Sequence, residues 1–132
     1  MEKLHFLLLF PFLISCKKDN EVKALKKEIV GTWELEKSVG YPNIIFPAGN
    51  GRIMVIDEDG TFERKQHDTL VFKGHYMIQK KADCLDRPSD VAFSTNERPS
   101  SEYRYIDVID GKLTLSSSNC ALDGATAYYR RL

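Results

Sequence analysis

The sequence predicts an all-β domain, namely a small eight-stranded antiparallel barrel preceded by one short helix. Three observations support this prediction. Apolar and polar residues alternate in twos along most of the chain, Asp-Gly pairs interrupt the alternation, and no stretch has the strand–helix–strand pattern of a parallel sheet. A barrel is favoured over two stacked sheets because closure removes exposed sheet edges.

The strands follow from the alternation, as where Trp33 and Leu35 alternate with Glu34 and Glu36. Hairpin turns are predicted at the Asp-Gly pairs 59–60 and 110–111, since Asp-Gly favours tight turns with positive φ. The predicted strands are residues 31–38, 51–57, 61–66, 69–80, 90–95, 102–109, 112–117 and 125–131.

A short amphipathic helix is predicted over Glu21–Ile29, because Val22, Leu25 and Ile29 recur at spacings of three and four. Asn20 is its candidate N-terminal cap.

The interior is expected to hold bulky side chains, so a filled core is favoured. Gly74 would leave room for a ligand or mark a bend in its strand, and both interpretations stay open. The candidate inward residues are Leu35, Ile53, Val55, Phe62, Phe72, Tyr76, Phe93, Leu113 and Leu115.

The first residues have the pattern of an export signal. An apolar run from Phe6 to Ile14 follows Lys3, and it is far shorter than the roughly 20 residues of a membrane-spanning helix. The run ends in Leu13-Ile14-Ser15-Cys16, which resembles the lipobox of bacterial lipoproteins. The resemblance implies that residues 1–15 are a signal peptide and that Cys16 is lipidated. An ordinary secretory signal or a buried strand are the alternatives.

A polar stretch after Cys16 is expected to be a tether, so that residues 16–24 are the lipidated cysteine and tether and 25–132 the barrel domain. Lys17 directly after the cysteine resembles lipoproteins passed on to the outer membrane. The resemblance implies a location in the cell envelope and a membrane partner through the lipid, with the periplasmic and outward faces both open.

Charge is balanced at 19 basic and 19 acidic residues, which argues against a nucleic-acid partner. Cys84 and Cys120 form an even pair once Cys16 is lipidated, and an oxidising compartment favours a disulfide between them. Free thiols or a metal-binding pair are the alternatives.

The stretch Gly31-Thr32-Trp33 resembles the Gly-x-Trp opening of lipocalins, in particular the lipocalin-like domain lipoproteins of Bacteroidetes. The resemblance covers roughly residues 25–132 and includes the ending Tyr128-Tyr129-Arg130-Arg131. It implies that Trp33 closes the barrel floor and that Arg130 or Arg131 lies across its ring.

No nucleophile, phosphate-binding or zinc motif is present in the sequence, so an enzyme, a cofactor and a metal site are not expected. His67 and His75 are interpreted as solvated side chains rather than ligands or bases. The acidic stretch 57–60 lacks the spacing of a calcium loop and is interpreted as a turn.

The favoured function is the binding of a small hydrophobic ligand by an envelope lipoprotein. The alternative is a protein-interaction module or inhibitor of an envelope enzyme, with a filled barrel. The segment Tyr41–Pro47 is a candidate lid, docking patch or rim contact. The candidate cavity or lid residues are Phe46, Phe62, Phe72, Gly74, Tyr76 and Phe93.

Overall fold

The computed structural model describes residues 17–81, 91–97, 102–117 and 124–132. It contains one helix and nine strands within these residues. Their bounds are α1 Lys17–Ile29, β1 Gly31–Val39, β2 Ile44–Ile45, β3 Arg52–Ile56, β4 Thr61–Gln66, β5 Thr69–Lys80, β6 Val91–Thr95, β7 Arg104–Ile109, β8 Lys112–Ser116 and β9 Thr126–Arg131.

Eight antiparallel strands form a closed barrel, which confirms the predicted fold class. The order is β1-β3-β4-β5-β6-β7-β8-β9, and β9 returns to pair with β1 from Trp33↔Arg131 to Val39↔Thr126. All eight predicted strands are present, with ends within two residues of those expected. The two-residue strand β2 was not predicted; it adds to the edge of β1 through Lys37↔Ile45 and Ser38↔Ile44.

The helix starts earlier than the sequence predicts. It begins at Lys17, so Asn20 lies inside it and is not its cap, and the residues after Cys16 form its first turns. Val22, Leu25 and Ile29 pack into the core as their spacing predicts. Because these side chains join the interior cluster, α1 covers the barrel end where β1 begins. None of the described helical segments has the length and apolar character needed to cross a membrane.

The core fills the half of the barrel beneath α1. Its residues with no exposed surface include Ile29, Trp33, Ile106 and Leu113. Opposite this closed end, at the open end, lie the β1–β3 and β4–β5 connections.

One predicted face is reversed. In β3 the buried residues are Met54 and Ile56, whereas Ile53 and Val55 are half-buried on the outer face. Pairing of Trp33 with Met54 sets this orientation, because directly paired residues share a face of the sheet. The run Ile53-Met54-Val55-Ile56 is apolar on both faces, so alternation alone could not decide it.

Candidate functional site

A cavity of about 260 Å³ occupies the open half of the barrel. Its apolar floor is made by Met54, Phe62, Phe93 and Leu115. This volume lies just below the roughly 300 Å³ at which ligand pockets usually begin, so the space suits a small molecule. The expectation of a filled barrel is therefore met only in the half beneath α1.

Polar side chains line the rest of the cavity. They come from the ends of five strands and the segments that follow them, so closure of the barrel brings together residues far apart in sequence. They are Ser38, Arg64, Ser94, Thr95, Glu97, Glu102, Arg104 and Tyr129.

The two arginines of this cavity differ in their partners. The Arg64 guanidinium forms a two-point contact with the Glu97 carboxylate, with Nε donating to Oε2 at 2.9 Å. Arg104 is half-buried, and among the described residues it donates only to the Ser117 hydroxyl, over a long 3.4 Å. None of the ion pairs found among the described residues includes Arg104.

Tyr129 lies beside both arginines on the inner face of β9. Burial raises the pKa of its phenol, while the positive charges of Arg104 and Arg64 act in the opposite direction. A second space of about 130 Å³ is lined by Leu35, Met54, Arg64 and Tyr129 among others, so it adjoins the main cavity.

Of the candidate cavity residues, Phe62 and Phe93 line the main cavity. Tyr76 stacks on Phe93 with ring centroids 5.7 Å apart, and Phe72 lies 6.1 Å from Phe62, so both support the cavity wall from within the core.

Gly74 does not open space for a ligand. A Cβ there would lie 2.1 Å from Asn96 Oδ1 and 2.6 Å from Cζ of Phe72. The missing side chain instead admits the Phe72 ring and the Asn96 amide, whose oxygen accepts a hydrogen bond from the His75 backbone at 2.8 Å. Glycine is therefore a packing requirement at this position.

The segment Tyr41–Pro47, the candidate lid, docking patch or rim contact, does not line the cavity. Ile44 and Ile45 form β2 and are 44% and 79% exposed, and Tyr41 is fully exposed. Phe46 lies on the outside beneath Arg52, whose guanidinium carbon is 4.7 Å from the ring centroid. Phe46 is therefore not a cavity residue.

The barrel floor involves Trp33 and Arg131. The Arg131 guanidinium carbon lies 4.1 Å from the Trp33 ring centroid, and its two terminal nitrogens donate to the carbonyls of Val30 and Glu28 at 2.9 and 2.6 Å. Gly31 has φ +145°, and a Cβ there would lie 2.5 Å from the Arg131 guanidinium. Glycine in the Gly-x-Trp motif thus makes room for this arginine.

Arg130 is not part of the floor. It points to the outer surface, where its Nε is 3.3 Å from the buried Glu34 carboxylate and its Nη2 donates to the Phe46 carbonyl at 3.0 Å. Glu34 also accepts backbone hydrogen bonds from Gly49 and Gly51, so this pair fixes the β2–β3 connection to the barrel wall.

Other predicted sites are placed as follows. His67 and His75 are exposed, and no cluster of three or more His, Cys, Asp or Glu side chains suited to a metal lies among the residues that the structure describes. Asp57 and Asp59 bond to Thr61 within their turn. Cys16, Cys84 and Cys120 lie outside the described residues.

The sequence pattern alone did not single out Arg64, Arg104 or the cavity role of Tyr129. A signal was present: Arg104 is two residues before Ile106 and four before Val108, which places it on their inward face. Comparison with known proteins finds no matching family model, no matching curated protein and no matching solved structure.

Proposed function

We propose that this protein is a membrane-anchored lipoprotein of the cell envelope whose lipocalin-like barrel binds a small ligand with an apolar part. The observation that carries the binding proposal is the cavity of about 260 Å³ at the open end, above a densely packed floor. A barrel of eight strands has room for side chains or for one small ligand. Here side chains fill the half beneath α1, and the open half contains the cavity.

The anchor proposal depends on the sequence Leu13-Ile14-Ser15-Cys16. Each buried methylene of an acyl chain contributes about 0.8 kcal/mol, so several chains hold a small domain firmly on a membrane. In the same compartment we propose a Cys84–Cys120 disulfide, whose closure would stabilise the fold by roughly 4 kcal/mol.

The anchor is tested by labelling cells with radioactive palmitate. Cys16→Ser should lose the label and leave the membrane fraction, whereas the matched control Cys84→Ser should keep both. Label in the Cys16→Ser protein, or none in the wild type, would contradict lipidation.

Ligand binding is tested by native mass spectrometry of protein extracted from its own membrane. The wild type should carry a small-molecule adduct, and Ala127→Phe should lose it because Ala127 lines the cavity. Met77→Phe is the control, since Met77 is 55% exposed on the barrel surface. The absence of a small-molecule adduct from all three proteins would argue against a ligand.

A second function, as a protein-interaction module, is favoured by the exposed Tyr41, Ile44 and Ile45. In that case Ile45→Glu should abolish cross-linking to an envelope partner, while Ala127→Phe should retain it. The two variants therefore separate the two functions.

A further inference from the structure

Arg104 is a cationic side chain of the cavity, and its contacts with the described residues use few of its donors. A guanidinium has five N–H donors, and that of Arg104 makes one long hydrogen bond, to Ser117, within the described residues. Partial burial of a charged side chain is costly where no ion pair compensates its desolvation. Arg104 is therefore the group in this cavity that an anion would stabilise most.

The acidic residues around the cavity do not fill this role. Glu97 holds Arg64 in the two-point contact described above. Glu102 also lines the cavity and is exposed to solvent, and none of the ion pairs found among the described residues joins it to Arg104. One positive charge thus faces the space without a carboxylate of the described residues against it.

A second donor lies next to this charge. Tyr129 also lines this cavity, and within the described part of the chain its hydroxyl makes no hydrogen bond. Deeper in the barrel the lining changes to Met54, Phe62, Phe93 and Leu115. The cavity is therefore polar on one side, where two arginines and two glutamates lie, and apolar on the other.

We infer that the ligand is a small amphiphilic carboxylate, with its carboxylate on Arg104 and Tyr129 and its short hydrocarbon chain over the apolar floor. A guanidinium fork matches a carboxylate in two parallel hydrogen bonds. The volume of about 260 Å³ suits a medium-length chain and is too small for a lipid with two acyl chains. This inference rests on the proposed ligand-binding function and assigns it a chemical class.

The test compares three probes of equal chain length on the delipidated protein by calorimetric titration: octanoate, 1-octanol and octylamine. Octanoate should bind wild-type protein most tightly and octylamine least. Arg104→Gln should weaken octanoate binding about tenfold to a hundredfold, which is the usual effect of losing a charge-assisted hydrogen bond. The affinity for 1-octanol should stay unchanged. Tyr129→Phe should weaken octanoate by about threefold to tenfold.

Lys73→Gln is the matched control, because the Lys73 side chain is 61% exposed on the barrel surface, pairs with Glu63 and lines neither space. It should leave the binding of all three probes unchanged. Arg104→Lys keeps the charge but not the fork, and should give an intermediate octanoate affinity. Circular dichroism of each variant establishes that it is folded.

The outcomes separate this inference from the proposed function. If 1-octanol binds, is blocked by Ala127→Phe, and binds as tightly as octanoate, the carboxylate inference is wrong while ligand binding stands. Octanoate affinity that survives in folded Arg104→Gln also overturns it. If none of the probes binds wild-type protein, both proposals fail.

Discussion

Arg131 connects three parts of the molecule through one side chain. It stacks on Trp33 of β1, extends from β9 and donates to two carbonyls at the end of α1. A cation over an indole face contributes about 0.5 to 2 kcal/mol, and the carbonyl contacts also satisfy acceptors that a helix end leaves open. The closed end of the barrel therefore depends on a group at the surface.

Arg131→Gln should lower the free energy of unfolding by about 1 to 2 kcal/mol. Arg131→Lys should lower the free energy of unfolding by less, because lysine keeps a positive charge over the Trp33 ring. Trp33 is the single tryptophan, so urea unfolding followed by its fluorescence reports directly on this end. Equal stability of Arg131→Gln and wild type would show that the stacked arginine is energetically neutral.

Tyr76 makes stability sensitive to alkaline pH. Its hydroxyl donates to the Asp57 carbonyl at 2.8 Å. Burial raises the pKa of its phenol, and the nearby carboxylates of Asp59, Asp57 and Glu58 raise it further. The unfolded chain ionises this phenol near pH 10, before the folded protein does. Stability present below that pH is therefore lost as pH rises toward the folded pKa.

Tyr76→Phe should remove the hydrogen bond and cost about 0.5 to 1.5 kcal/mol at neutral pH. It should also make the unfolding free energy fall less steeply between about pH 9 and 11, since the phenol with the raised pKa is gone. Urea titrations at several pH values measure both effects. An unchanged alkaline slope in Tyr76→Phe would assign the decline to other groups.

At the scale of elements, the hairpin turns differ in how well residue type fits conformation. Asp110 and Gly111 both have positive φ, at 51° and 73°, as their Asp-Gly pair predicts. His67 and Asp68 also have positive φ, at 49° and 63°, although neither is glycine. The β4–β5 turn is thus built from residues that pay a conformational cost of about 1 kcal/mol or more each.

The double substitution His67→Asn with Asp68→Gly should raise the free energy of unfolding by about 1 kcal/mol, because Asn-Gly prefers this turn. Gly111→Ala should lower it by a similar amount, since its positive φ is then strained. Thermal and urea denaturation measure both changes. Destabilisation by the Asn-Gly pair would mean that His67 or Asp68 makes a stabilising contact of its own.

For the whole molecule, closure of the barrel joins the first strand to the last. Six residue pairs link β1 and β9, and β9 also supplies Tyr129, Arg130 and Arg131 to three different contacts. Because these strands are the most distant in sequence, their pairing closes the longest loop of the fold. Removing β9 would open two strand edges at once.

Deletion of residues 126–132 should therefore abolish cooperative unfolding and cause aggregation through the open edges. Deletion of Leu132 alone is the control, because Leu132 is 65% exposed and contributes one backbone hydrogen bond, to Thr32. Denaturation curves and size-exclusion chromatography report the result. A cooperative transition in the longer truncation would show that closure is dispensable.

The sequence by itself determined the elements, because their signals are local. Period-two alternation marked the eight barrel strands, Asp-Gly marked two turns, and the spacing of Val22, Leu25 and Ile29 marked the helix. The start of α1 was not predicted, since no local signal separates its first polar residues from a tether. Strand β2 was not predicted either, since two isoleucines have no signal that separates them from a loop.

Tertiary structure alone decided which face of β3 points inward and how much of the interior is filled. Alternation fixes which residues share a face but not which face is buried. Pairing with β1 places Met54 on the inner face and Ile53 on the outer face, the reverse of the prediction. Arg131 rather than Arg130 reaches Trp33 for the same reason. The candidate site combines Arg104 of β7 and Tyr129 of β9, which lie on either side of β8, with Arg64 of β4, which only closure of the barrel brings to the same cavity.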